Sequence, residues 1–259
     1  MSVVRAKKAL GQHFLKDQNI ARKIVESLQA QNIEKVIEIG PGMGVLTRFL
    51  MERKEFTTIP VEIDHESVEY LTAAYPQLSS MLVQGDFLEL DLNSITPDKF
   101  AIIGNFPYNI SSQIFFKVID YRSQVEEVVC MIQKEVAQRI ACKPGTKEYG
   151  ILSVLLQAYY DIDYLFTVHE NVFTPPPKVK SGVIRLLRNK TQQLNCDEKM
   201  FFKVVKASFN QRRKVISNSL KVLSPNLDKE HPLLGKRPEQ LSVADFVELT
   251  NLVTESLIR

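Results

Sequence analysis

Cysteine and histidine are both scarce in this 259-residue chain. Its three cysteines, Cys130, Cys142 and Cys196, form no CxxC pair, and its four histidines, His13, His65, His169 and His231, stand far apart. That excludes a disulfide framework and leaves no zinc-ligand spacing, so no metal is expected and a reducing compartment is the simplest setting. No apolar run approaches the roughly 20 residues needed to cross a bilayer, which argues against a membrane protein. The basic start, MSVVRAKKALGQHFL, lacks the apolar stretch of a secretory signal. A soluble, cytoplasmic monomer without membrane contact is expected.

What the chain does contain is ordinary core material: 44% hydrophobic residues, 24% charged residues and 14 Phe. The net charge of +3 is unevenly placed. Residues 1–173 carry 17 basic and 22 acidic side chains, whereas residues 174–259 carry 16 basic and 8 acidic. Between Thr174 and Lys221 there are 12 basic residues against only Asp197 and Glu198. Such segregation suits a body that binds a small ligand and a flank that holds a polyanion, since each neutralised phosphate releases counterions. A solvated helix face would produce the same run, so charge alone does not decide.

Along the chain, residues 18–31 place Ile20, Ile24, Val25 and Leu28 on one helical stripe. Short apolar runs then alternate with helical patterns. Strands are predicted at 36–39, 57–63, 81–83, 100–103, 128–132 and 160–168, with helices between them. This alternation predicts an α/β protein, an open and mainly parallel sheet covered on both faces. After the triple proline at 175–177, residues 182–187 read as an added edge strand. Beyond about residue 195 only helices are predicted, at 197–209, 211–223 and 242–257. The expected organisation is a catalytic α/β domain over 1–190 and a small all-α domain over 191–259.

Ligands of open α/β sheets bind where strands end and helices begin. The first such turn, EIGPGMG, has glycines at 40, 42 and 44, and Val45 stands where a dinucleotide fingerprint requires its third glycine. The spacing argues against NAD and FAD and suits S-adenosylmethionine, which has no pyrophosphate. Glu62 closes the second strand, where a carboxylate can accept both ribose hydroxyls. Asp86 follows the third, where it can accept from an adenine amine, and Asn105 closes the fourth. Each alone could be a helix N-cap; four in successive strand-end loops make a cofactor site.

The segment Asn105-Phe106-Pro107-Tyr108 carries the chemistry. Methylating an aryl amine such as adenine N6 requires a lone pair that is otherwise delocalised into the ring. Two acceptors on the N–H groups, the Asn105 side-chain oxygen and the Phe106 carbonyl, favour pyramidal nitrogen. Pro107 restricts Phe106 to extended backbone and so aims that carbonyl. Tyr108 offers a stacking face, and Phe173 is the candidate for the opposite face. A paired base cannot present N6 in this way, so the target is flipped out or single-stranded. Arg212, Arg213 and Lys214, in a segment read as opening a C-terminal helix, are expected to contact phosphates.

The motifs GQHFLKD, VIEIGPGMGVLT, VEID, GDFLELD, GNFPYNISS, QKEVAQRI, FTPPPKVKSGVIRL and FNQRRK occur in the order seen in the KsgA family of small-subunit rRNA adenine dimethyltransferases, and nearly the whole chain resembles it. The resemblance implies a Rossmann-like class I methyltransferase fold with a seven-stranded sheet. It also implies four methyl transfers from S-adenosylmethionine to two adjacent adenosines near the 3′ end of 16S rRNA, in an assembling 30S subunit. By motif, it places the cofactor at His13, Leu15, Gly40, Glu62, Asp86 and Asn105, and the target base among Asn105, Pro107, Tyr108 and Phe173. The family usually has Asn where this chain has His13, and the contact to the methionine end is expected to survive. An Erm-type 23S rRNA methyltransferase, a non-catalytic assembly factor of the same fold and a DNA adenine methyltransferase are the alternatives.

Overall fold

The computed structural model describes residues 4–225, 227 and 230–258. A two-residue strand β1 (Phe14–Leu15) precedes helix α1 (Gln18–Glu26). Asp17 starts that helix by accepting from the Asn19 and Ile20 N–H groups at 2.9 and 3.0 Å, satisfying two donors that have no partner inside the helix. Ala21, Ile24 and Val25 form its buried stripe.

The predicted alternation follows as β2 (Lys35–Ile39), α2 (Thr47–Leu50), β3 (Thr57–Glu62), α3 (His65–Ala74), β4 (Val83–Gln84), α4 (Leu92–Ile95), β5 (Phe100–Asn105), α5 (Ser111–Asp120), β6 (Val125–Gln133), α6 (Lys134–Ala141), α7 (Ile151–Gln157) and β7 (Tyr160–Val168). Next come β8 (Phe173–Thr174) and β9 (Ser181–Arg188), then α8 (Glu198–Asn210), α9 (Ile216–Ser219) and α10 (Val243–Ile258). Strands pair in the order β4-β3-β2-β5-β6-β9-β7; all neighbours from β4 to β6 are parallel, and β9 is antiparallel to β6. Val36 and Ile37, Ile102 and Ile103, and Val128 and Val129 are all fully buried. Consecutive buried residues point to opposite faces, so both sides of the sheet are covered, each such side chain contributing about 1.5–3 kcal/mol.

Two sequence expectations are corrected. The strand at 182–187 is interior, between β6 and β7, and β7 is the edge. The burial of both Val183 and Ile184 fits an interior strand, whereas the exposed Asp161 and Asp163 of β7 are the charges an edge strand carries. The helix expected over 211–223 is replaced by a turn at 211–214, closed by the Lys214 N–H donating to the Gln211 carbonyl at 2.7 Å, before the short α9. No apolar residue lies between Phe209 and Val215 to hold that stretch against a core.

Contacts divide the chain into one unit of Met1–Ala137 and Asp161–Arg188, and a second of Gln138–Tyr160 and Asn189–Arg259. The linear division at 190 therefore misses Gln138–Tyr160, whose helix α7 packs on α8 and α10. No helix among the described residues is long and apolar enough to cross a membrane.

Candidate active site

Strands β2 to β5 deliver four of the expected residues to one end of the parallel sheet, on either side of the point where strand order reverses. A cavity of about 160 Å³ opens there, lined by Gly40, Glu62, Asp86, Asn105, Pro107 and Tyr108, among others. The segment Ala9–Phe14 supplies a further wall, and His13 lies in it.

Gly40 and Gly42 have φ of +63° and +56°, a region that side chains disfavour. A Cβ at Gly40 would meet nothing within 4 Å, so the turn presents bare backbone to the cavity; one at Gly42 would lie 2.9 Å from the Phe14 ring. Glu62, 3% exposed, accepts from the Gly42 N–H with one carboxylate oxygen and from the Asp64 N–H with the other, both at 2.9 Å. Burial raises its pKa, and those two backbone bonds oppose the rise. Each oxygen keeps lone-pair capacity for a further donor. Asp86 turns one oxygen to the Leu88 N–H at 2.9 Å. A bare glycine turn, a carboxylate with acceptor capacity and a second acceptor one strand further on suit a nucleoside carrying a cationic sulfur.

The Asn105 amide donates from Nδ2 to the His13 backbone carbonyl at 2.9 Å. Only the NH₂ end can face a carbonyl, so the contact settles which way the amide points and leaves Oδ1 as the acceptor for other work. The Phe106 N–H is held by the Met131 carbonyl at 3.0 Å, and its buried ring meets Phe115 edge-on. The Tyr108 hydroxyl shares a 2.7 Å hydrogen bond with Ser181 Oγ, and its ring stacks with that of His13 at a centroid distance of 5.5 Å. Burial pushes the Tyr108 phenol up, with the Ser181 bond acting the other way. His13 Nδ1 donates to the Pro175 carbonyl at 2.8 Å, so part of this imidazole is engaged away from any ligand.

Five expected residues stand outside this cavity wall. Phe173, 1% exposed, is absent from the cavity wall: it pairs with Leu15 across β1 and β8, inside the apolar cluster that also holds Ile24 and Val129. Leu15 borders a smaller neighbouring cavity of about 30 Å³ with Glu38, Met43 and Asn105. Arg212, Arg213 and Lys214 belong to the second unit.

Sequence reading missed three contributors. Gly104 admits β2 beside β5, since a Cβ there would sit 2.6 Å from the Ile39 carbonyl. Lys7 forms ion pairs with Asp64 and, at 3.1 Å, with Glu66, while Ser67 Oγ donates to Asp64 at 3.0 Å. Burial opposes ionisation of Asp64, but Lys7, Ser67 and Gln12 together hold its carboxyl below the ordinary value. The acid two places after Glu62, in VEID, was the available signal. The third is Glu38, 1% exposed, which accepts from Thr47 Oγ1 at 2.7 Å. Burial, reinforced by the Glu62 charge, pushes its pKa up to about 8, against the Thr47 bond. A raised carboxyl pKa means that the folded protein binds the proton more tightly than the unfolded chain. Its contribution to stability is complete below about pH 4.5 and declines as pH rises through about 8. Glu38→Gln, which keeps an acceptor for Thr47, is expected to flatten that decline in melting temperatures measured across this range.

Among the described residues no group of three or more His, Cys, Asp or Glu could hold a metal. The family model for ribosomal RNA adenine dimethylase matches residues 3–255. Curated relatives described as ribosomal RNA small subunit methyltransferase A include one from Cytophaga hutchinsonii, 60% identical over 98% of this chain and 99% of its own, and one from Flavobacterium johnsoniae, 55% identical over 98% and 97%. Among solved structures, a dimethyladenosine transferase from Plasmodium falciparum superposes with a TM-score of 0.77 at 23% identity, covering 94% of this chain and 98% of its own. The 23S rRNA methyltransferase ErmE gives 0.67 at 26% identity, covering 92% and 99%. The chain thus has the class I methyltransferase fold and belongs to the ribosomal RNA adenine dimethylase family.

Proposed function

We propose that the protein transfers methyl groups from S-adenosylmethionine to N6 of two adjacent adenosines near the 3′ end of 16S rRNA, in the 30S subunit in the cytoplasm, giving N6,N6-dimethyladenosine. The observation that carries this reading is the Asn105 amide, turned by the His13 carbonyl so that Oδ1 remains an acceptor beside Pro107 and Tyr108. Gly40, Glu62 and Asp86 would hold the donor, with the Glu62 carboxylate on the ribose hydroxyls and Asp86 on the adenine amine. The bound donor supplies a methyl group made electrophilic by its sulfonium. In the first transfer Asn105 Oδ1 and the Phe106 carbonyl accept the two N–H groups of the target amine; in the second, the one remaining N–H meets one of these acceptors, and Tyr108 stacks under the base throughout. These contacts turn the nitrogen lone pair toward the methyl, so that the N–C bond forms in line as the C–S bond breaks and its electron pair stays on sulfur as a neutral thioether. The gain of positioning is worth several kcal/mol, roughly 7–11 at best. No strong base is needed, because the proton is lost only once methylation has made the nitrogen cationic.

The names of the curated relatives favour the small subunit over the Erm-type alternative. The deciding experiment is incubation with unmethylated 30S subunits and labelled donor, followed by mapping of the modified bases. Label in two adjacent adenosines near the 3′ end of 16S rRNA is expected; label in 23S rRNA alone would overturn the reading.

Arg212, Arg213 and Lys214 are proposed as phosphate contacts. In support, Arg213 and Lys214 are exposed, and the run from Thr174 to Lys221 holds 12 basic residues against two acidic ones. Reversing Arg212 and Arg213 to Glu is expected to weaken subunit binding and to reduce its salt slope by about 2 or more, measured by filter binding at several salt concentrations.

A further inference from the structure

Tyr108 can serve as a stacking platform only if its ring plane is fixed before the base arrives. Its hydroxyl lies on the Cβ–Cγ axis, so a hydrogen bond there fixes where the ring lies but leaves it free to rotate about that axis. A stacked neighbour has the complementary effect, fixing the plane. Both are present: Ser181 Oγ stands 2.7 Å from the hydroxyl, and the His13 ring lies against Tyr108 at an interplanar angle of 28°. Each is anchored in turn. Ser181 is fully buried in β9, in register with Gln133 of β6, and His13 Nδ1 is held by the Pro175 carbonyl.

We propose that Ser181 is a positioning residue for methyl transfer, holding the Tyr108 ring at the site of the target base while His13 covers one face and leaves the other for that base. The inference rests on the reading of Tyr108 as the base platform. It makes the Ser181–Tyr108 hydrogen bond a unit: losing either hydroxyl removes the same constraint. Neither side chain in this pair is assigned to the donor, so donor affinity stays out of the effect.

The test is a double-mutant cycle on methylation of 30S subunits by the full chain, with Ser181→Ala, Tyr108→Phe and the double variant. Each single variant is expected to lower kcat by about tenfold, the scale of one hydrogen bond, and the double variant by no more than either single one. Calorimetric affinity for S-adenosylhomocysteine is expected to match the parent throughout. A packing role for Ser181 would instead give multiplying losses, which overturns the proposal, as does parental kcat in either single variant. Should Ser181→Ala fail to fold, as judged by melting, Tyr108→Phe decides alone, since it removes the bond from the other side. A parent enzyme that leaves 30S subunits unmethylated overturns the function itself and this inference with it; methylation by the parent together with parental kcat in the variants overturns the inference only.

Discussion

Asn105→Ala is expected to lower turnover on ribosomal RNA by about 10²- to 10³-fold, the scale seen when one aimed polar group is removed from a reacting centre. The loss should appear in kcat, because the amide acts where the nitrogen changes shape rather than where the RNA backbone is gripped. Asn105→Asp separates orientation from mere presence of an oxygen. The carboxylate retains acceptors but has no N–H for the His13 carbonyl, which the native amide meets at 2.9 Å. Two acceptors would then face each other, and the side chain would turn away. Asp is therefore expected to be about as inactive as Ala in single-turnover assays, and near-parental activity in Asp would show that the His13 contact is irrelevant.

Glu62→Ala should have the other large effect, this time on donor binding. The carboxylate is the hydrogen-bond partner of the Gly42 and Asp64 N–H groups, both reached at 2.9 Å within a buried setting. Its removal orphans both donors, at about 1–3 kcal/mol each, and loosens the glycine turn on which the cofactor would lie. Donor affinity is expected to fall by about 100-fold or more in calorimetry, with a lower melting temperature. Glu62→Gln is the sharper probe: an amide has one acceptor oxygen for two facing N–H groups, so one of them must meet an NH₂. Parental affinity in Gln would contradict the assignment.

These residues were legible in the sequence because they terminate strands, and strand ends are marked locally. Gly40, Glu62, Asp86 and Asn105 each follow a short apolar run, and all four line one cavity. What the sequence hid depends on pairing between distant segments. The interior place of β9 is decided by its partners β6 and β7, although the apolar pairs Val183-Ile184 and Leu186-Leu187 on either side of Arg185 hinted at burial on both faces. Ser181 reads as a loop serine until the fold brings it to a tyrosine 73 positions earlier. The chemistry of stacking points to Phe173, whereas the β1–β8 pairing buries it beside Leu15. The turn after α8 is invisible to local sequence because its cause is the lack of any apolar residue between Phe209 and Val215 to hold a helix against a core.

The carbonyl that orients Asn105 belongs to a stretch, Ala9–Phe14, that also forms part of the cavity wall. One backbone segment thus has two duties: it walls the cavity in which the donor is proposed to lie, and it fixes the direction of the Asn105 amide. A substitution that displaces this segment is therefore expected to disturb the cavity wall and the direction of the Asn105 amide together.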